Sequence, residues 1–403
     1  MKFLFKVIFF FFGSTTFFAQ QQTYPFINYN SNKLHFDKDS SSFLNLYKKM
    51  NELKNKNAKP IVIAHIGGSH VQGGAWSNTF HTNLQNNFKT NGGGYFIFPF
   101  QMVKTNSPSY INTKTNGKWA KCRCVTKGFC LPLGMSGYSA KTNDSANLFS
   151  IYITKYASNK IFNTIKVYHN FNPSFEFNLL KKGNIQFERI NNETNGYTEF
   201  KLSIPTDSLA FELIRKDTLQ KDFILYGFSL ENKTNTGFYL ATLGANGASS
   251  SSFLRCNYFE SQLKTIMPDL VVISLGVNDT QSKSFESDDY IENYDSLITK
   301  IKNVNPNVSI LLTTTTDNYI RRKTSNKRSI SAQVAMFKLM TKHHIAVWDM
   351  FEFMGGYKSI YKWYKAGLAS RDRVHFNNKG YTIMGDYMFK ALIQSYNNNT
   401  KKQ

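Results

Sequence analysis

Asp372-Arg373-Val374-His375 sets a carboxylate and an imidazole three residues apart, close enough to meet within one turn of chain. Far upstream, Ser69 closes Ile66-Gly67-Gly68-Ser69, directly after the apolar run Ile61-Val62-Ile63-Ala64. A serine hydroxyl is a poor nucleophile until a base takes its proton. An Asp beside that base fixes its tautomer and stabilises the imidazolium. Together the three side chains are the parts of acyl transfer through serine. Two more segments, Gly244-Ala245-Asn246-Gly247 and Gly276-Val277-Asn278-Asp279, follow or end apolar runs. They offer donors for a developing oxyanion: the N–H of Gly247, which no side chain obstructs, and the Asn278 amide. Each such donor is commonly worth roughly 2.7–4 kcal/mol of barrier. Taken singly, Gly247 reads as a turn glycine, Asn278 as an Asx turn and His375 as a surface histidine. Their joint occurrence, in this order, favours chemistry.

The elements around these residues must hold them. Phe43, Leu46, Tyr47, Met50 and Leu53 recur at helical spacing, Lys59-Pro60 ends that helix, and Ile61 to Ile66 reads as a buried parallel strand. A helix over about 75–89 follows Ser69, with Trp76, Phe80, Leu84 and Phe88 on one face. Strand–turn–helix is the setting for an exposed nucleophile in an open α/β sheet. After Gly247 the pattern alternates again: a helix over Phe253 to Ile266, a strand over Leu270 to Leu275 and a helix over Tyr290 to Val304. A strand over Val308 to Thr313, a helix over Ser331 to Lys342, a strand over Ile345 to Trp348 and a closing helix through Ile383, Tyr387 and Leu392 complete it. Such alternation predicts a parallel sheet with helices on both faces. From about 100 to 235 the period changes to short strands with turn residues every ten or so positions, which predicts a β-sandwich.

The ordered blocks resemble those of the SGNH (GDSL-like) hydrolases. Ser69 matches the nucleophile of the first block, Gly247 the glycine of the second, Asn278 the asparagine of the third, and Asp372 with His375 the D-x-x-H of the last. A closer resemblance is to the peptidoglycan O-acetylesterases of Gram-negative bacteria, which carry a β-rich insert between the first two blocks. Gly92-Gly93-Gly94-Tyr95, Met354-Gly355-Gly356 and Gly367-Leu368-Ala369 look like that subgroup. The resemblance implies a flavodoxin-like α/β sheet formed by residues 20–99 and 236–403, interrupted by an all-β unit, 100–235, like a carbohydrate-binding module. It also implies the Ser69 N–H as a third oxyanion donor and His70 as a wall or support residue. One position departs: the first block usually reads Gly-Asp-Ser, and here the middle residue is Gly68. That Asp braces the nucleophile turn, so a less preorganised Ser69 is expected.

Composition narrows the setting. Lys2 and Lys6 stand at the start of the apolar stretch Phe3 to Phe12, and Ala19 offers a small residue at a cut, so residues 1–19 read as an export signal. No later stretch is long and apolar enough to span a bilayer. The expected setting is periplasmic or secreted. The formal charge of +23 is spread along the chain. Its densest cluster, Arg321-Arg322-Lys323 with Lys327-Arg328, reads as a solvated face rather than a nucleic-acid site. Attraction to an anionic cell-envelope polymer fits an exported protein better. Cys122, Cys124, Cys130 and Cys256 allow two disulfides in three pairings, and Cys-x-Cys-x5-Cys is not a zinc spacing. Asp279 and Asp349, at strand ends, either bind a cation or brace a loop, but no metal cluster and no cofactor motif emerges. Trp348, Trp363 and the tyrosines could stack on sugars, though core packing is the commoner use. The reading is an exported serine esterase that removes O-acetyl groups from a carbohydrate, most readily peptidoglycan. A catalytically weak glycan-binding protein and a carbohydrate O-acetyltransferase are the alternatives.

Overall fold

The computed structural model describes residues 23–53, 58–180 and 183–401; the expected export signal lies outside the described residues. Six parallel strands form the centre of a long sheet. In spatial order they are Ala346–Trp348, Ser309–Thr313, Leu270–Ser274, Ile61–Gly67, Gly237–Gly244 and Gly92–Ile97. Leaving out Gly92–Ile97, the strands run 2-1-3-4-5 in chain order, the flavodoxin-like arrangement. The order reverses between Ile61–Gly67 and Leu270–Ser274, so a crevice opens beyond their carboxyl ends, at Gly67 and Ser274.

Burial explains why these segments are strands with two covered faces. Leu270, Val271, Val272 and Ile273 are all fully buried, as are Ile310, Leu311 and Leu312, which is the mark of a parallel strand coated on both sides. Helices Ala75–Phe88 and Asn378–Thr400 pack on one another, and Tyr47 of helix Leu44–Glu52 meets Tyr396 of the latter. Helices Phe259–Ile266, Ser287–Val304 and Arg328–His343 form a second packed group. Helix Ser287–Val304 buries Tyr290, Tyr294, Leu297, Ile298, Ile301 and Val304, a stripe at the helical period, and Asp288 and Asp289 sit in its first turn, where they suit the helix dipole. The expected helix over Phe253 to Ile266 is split. A 3-10 turn, Ser252–Arg255, precedes α-helix Phe259–Ile266, because Leu133 engages the intervening residues through Asn257 Oδ1 and the Tyr258 N–H. Trp348 and Trp363 are fully buried, with their indole N–H groups donating to Asn32 Oδ1 and to the Met354 carbonyl, so both serve the core.

Among the described residues, 100–235 contain strands and turns and no helix. Their strands form two layers. Ile111–Thr115, Ala146–Ile153, Ser208–Arg215 and Phe175–Leu180 make a four-stranded antiparallel sheet. Facing it are Phe223–Asn232, Phe162–His169, Tyr197–Thr206 and Phe187–Asn192, which continue the long sheet. Phe149, Phe177 and Phe211 of one layer meet Phe200, Phe223 and Phe228 of the other. The join to the parallel region is an antiparallel pairing of Phe228–Asn232 with Gly93–Ile97. Gly94 sits in that pairing at φ 148°, and a Cβ there would lie 1.9 Å from the Leu230 carbonyl oxygen. Only glycine lets the two backbones come that close.

Candidate active site

Ser69 begins the short helix Ser69–Gln72 at the carboxyl end of strand Ile61–Gly67. His375 and Asp372 stand just before helix Asn378–Thr400, whose start is capped by Asn377 Oδ1 accepting from the Gly380 N–H at 3.0 Å. The chain brings all three together: Ser69 Oγ is 2.8 Å from His375 Nε2, and His375 Nδ1 is 2.7 Å from Asp372 Oδ2. The other carboxylate oxygen, Oδ1, accepts from the N–H groups of Val374 and His375 at 2.9 and 3.0 Å. Burial alone would push Asp372 up. The hydrogen bonds from the His375 ring and from these N–H groups outweigh it and hold the carboxyl well below the usual carboxylate range. An ionised acceptor at Oδ2 favours the Nδ1–H tautomer, which leaves Nε2 free to take the serine proton.

Gly247 lies at φ 84°, in the left-handed region that glycine enters freely, within the turn after strand Gly237–Gly244. Neither its N–H nor that of Ser69 is hydrogen bonded to any described residue. Asn278 follows strand Leu270–Ser274 and donates from Nδ2 to the Ala248 carbonyl at 2.9 Å, which leaves the second amide proton for a ligand. The three donors expected for an oxyanion are therefore carried on the Ser69 helix, the Gly247 turn and the Asn278 helix, which meet at the crevice where the strand order reverses. A small cavity of about 20 Å³ beside them is lined by Gly68, His70, Ala248, Asn278 and Thr315, among others.

Of the residues that brace this site, Gln72 carried no signal in the linear sequence, whereas Asp279 and Asp349 take the bracing alternative expected of them. Gln72, fully buried, accepts from the Asn246 N–H at 2.7 Å and from the Tyr138 hydroxyl at 2.9 Å, while its amide donates to the Asn106 carbonyl at 2.8 Å. One side chain thus ties the nucleophile helix, the Gly247 turn and the β-rich segment together. Asp279 accepts from the Ser250 N–H and, at 2.6 Å, from its hydroxyl, so it braces the far side of the Gly247 turn; burial raises its pKa against those bonds. Asp349 also braces a loop, accepting from Thr314 Oγ1 and Gln333 Nε2 and capping helix Met350–Phe353. No group of acidic, His or Cys side chains suited to a metal occurs among the described residues.

His70 is buried and stacks on His375, with ring centroids 5.3 Å apart and planes 29° apart, while its Nδ1 bonds Tyr381 Oη at 2.9 Å. Burial, with a smaller push from His375, lowers its pKa to about 3, so a neutral ring lies against His375. His65, on the same strand that leads to Ser69, is bonded to Ser274 Oγ and Ser77 Oγ. Arg373, at φ 55°, stacks its guanidinium over Tyr319, Tyr361 and Tyr364 at 4.9, 5.4 and 5.6 Å and so pins the loop between Asp372 and His375. Cys122 and Cys130 form a disulfide, and Cys124 and Cys256 are buried free thiols.

Residues 225–383 match the GDSL-like lipase/acylhydrolase family, a span that holds Gly247, Asn278, Asp372 and His375 but not Ser69. In fold the chain is similar to a solved structure of a peptidoglycan O-acetylesterase in action, with a TM-score of 0.73 and 17% identity over 91% of this chain and 99% of that one. A lipase/acylhydrolase from Enterococcus faecalis is similar over 39% of this chain and 76% of its own, with 19% identity and a TM-score of 0.32. No curated protein matches significantly in sequence. The GDSL-like resemblance thus holds by family match for the last three of the four blocks, and the chain shares its fold with the O-acetylesterase over most of its length.

Proposed function

We propose that this protein is an exported serine esterase that removes O-acetyl groups from a carbohydrate, peptidoglycan first among the polymers. The observation that carries the reading is the unbroken line Ser69 Oγ, His375 Nε2, His375 Nδ1, Asp372 Oδ2, with separations of 2.8 and 2.7 Å. In this reading His375 takes the Ser69 proton as Oγ bonds to the acetyl carbonyl carbon. The oxyanion formed is met by the N–H groups of Ser69 and Gly247 and by the Asn278 amide. The imidazolium then protonates the departing sugar oxygen, leaving an acetyl-serine. Water, deprotonated by the same imidazole, attacks that ester; acetate leaves and Ser69 recovers its proton. His375 keeps 41% of its side-chain surface exposed, which gives water ready access and supports hydrolysis over transfer to a second sugar.

The substrate part of the proposal draws on the fold similarity to a peptidoglycan O-acetylesterase, and export draws on the leader-like residues 1–19. Residues 100–235 are read as an inserted all-β unit that docks the polymer, in contact with the site through Asn106 and Tyr138 on Gln72. The deciding experiment is acetate release from O-acetylated peptidoglycan and from p-nitrophenyl acetate by wild type, Ser69→Ala and His375→Ala. Each variant is expected to lose roughly 10⁴-fold or more in kcat, and the double variant no more than either alone. Turnover by Ser69→Ala at the wild-type rate would end the esterase reading in favour of a glycan-binding protein.

A further inference from the structure

The cluster Arg321-Arg322-Lys323 lies beside the catalytic loops. Two short antiparallel strands, Tyr319–Ile320 and Thr324–Ser325, present these three residues at the tip of a hairpin, all exposed. The hairpin is firmly rooted. Asn318 and Asn326 at its base are fully buried and bonded to each other, and Asn326 Nδ2 also donates to the Thr280 carbonyl. Gln281, which ends the helix carrying Asn278, donates to Asn318 Oδ1 and to the Tyr319 carbonyl at 2.7 and 2.9 Å. On the other side, the Tyr319 N–H donates to the carbonyl of Arg373, between Asp372 and His375, at 3.0 Å. The hairpin therefore bridges the helix of Asn278 and the loop between Asp372 and His375, and its tip meets that loop where Arg373 Nη1 donates to the Arg322 carbonyl at 3.4 Å.

Two features set this tip apart from the basic residues spread over the rest of the surface. Arg321 and Arg322 both adopt left-handed backbone, φ 48° and 62°, in a turn where Asn-Gly would be the relaxed choice. Their charges are also uncommitted. No carboxylate pairs with Arg321, Arg322 or Lys323 among the described residues, and the nearby acids, Asp279 and Asp372, are engaged by Ser250 and His375. Arg373 differs, because its guanidinium is spent on three tyrosine rings. A fixed, unpaired run of two guanidinium groups and an ammonium beside an ester-cleaving serine suits a substrate with carboxylates near its acetyl groups, since guanidinium bonds carboxylate in a two-point geometry.

We propose that Arg321, Arg322 and Lys323 form a carboxylate-recognition rim that selects an acetylated glycan bearing carboxylate groups over a neutral one. The inference rests on the esterase reading above. Its test uses the triple variant R321Q/R322Q/K323Q, whose glutamines keep side-chain length without charge. Acetate release is measured from O-acetylated peptidoglycan fragments, from the same fragments with carboxylates amidated, from acetylated xylan and from p-nitrophenyl acetate. Wild type should show a KM roughly tenfold lower for the carboxylate-bearing fragments than for the amidated ones, a preference that weakens as salt rises. In the variant that preference should vanish, with p-nitrophenyl acetate turnover unchanged as the control for folding. Equal KM values in wild type for native and amidated fragments would overturn the rim while leaving the esterase intact. Inactivity of wild type on all four substrates would overturn the esterase reading and the rim with it.

Discussion

Gly68 is the residue at which this site departs most from its resemblance, and its surroundings say what the departure does. A Cβ there would stand 3.3 Å from Asn278 Nδ2 and 3.4 Å from the Ala248 carbonyl oxygen. The brace expected from an aspartate is supplied from other quarters, by Asp279 on Ser250 and by Asn278 on Ala248. Adding a side chain therefore presses on an oxyanion donor without filling a structural need. Gly68→Asp and Gly68→Ala should both lower kcat on p-nitrophenyl acetate, by roughly threefold to tenfold, since displacing a donor by a fraction of an ångström is costly. A rise in kcat for Gly68→Asp would mean that the nucleophile turn does lack a brace. Asp279→Ala removes one that is present and should cost at least as much. That Ser69, Asp372 and His375 would meet, with Gly247 and Asn278 close by, was legible in the sequence because each sits in a short block beside a strand end or a helix start. The bracing role of Gln72, and the partner that Asp279 braces, were not, because these contacts are fixed only by folding: Asn246 and Ser250 lie far from them in the chain.

The element that couples most of the site is the one-turn helix Ser69–Gln72. It carries the nucleophile at one end and at the other Gln72, whose side-chain oxygen serves both Asn246 and Tyr138. Strand Gly237–Gly244 runs hard against it, and a Cβ on Gly244 would fall 2.3 Å from the Gln72 N–H nitrogen. Gln72→Ala leaves the buried Tyr138 hydroxyl and the half-buried Asn246 N–H without this acceptor, which costs about 1–3 kcal/mol for the buried donor and less for the other. The expected result is a melting temperature lower by several degrees and a kcat on p-nitrophenyl acetate roughly tenfold lower, with KM within twofold of wild type. An unchanged kcat would show that the oxyanion turn holds its shape without this link. At this scale four of the six parallel strands and the longer helices followed from periodicity, whereas strands Gly92–Ile97 and Gly237–Gly244 and the hairpin Tyr319–Ser325 did not. Its strands are two residues long, and its turn uses arginines where glycine or asparagine would have announced it.

Across the whole molecule, four buried histidines set the response to acid. Burial lowers His65, His70 and His169 to about 3 and His81 to about 4, against about 6.5 in an unfolded chain. Below pH 6.5 the unfolded state binds protons that the folded state refuses, so stability falls as pH drops toward those values, by roughly 1 kcal/mol per pH unit for each group. Asp317, raised to about 6 by burial, works the other way between pH 6 and its unfolded value near 3.8, and is outnumbered. Thermal melts should therefore decline steadily from pH 7 to pH 5, and a midpoint that rose over that interval would contradict these buried neutral imidazoles. The β-rich segment was legible as strands but not as an extension of the central sheet, because the pairing of Phe228–Asn232 with Gly93–Ile97 joins residues remote in sequence. Among the described residues, that continuity gives the main path of the long sheet two ends, while a side branch ends in the short strand Ala120–Arg123. One end of the main path is the two-residue strand Leu34–His35, and the other is Phe187–Asn192, which turns Glu188 and Arg189 to solvent. A foreign strand would find too short a template at the first and would have to set its backbone beside exposed charges at the second. Both ends of that main path are thus poor seeds for growth into fibrils by recruiting further chains.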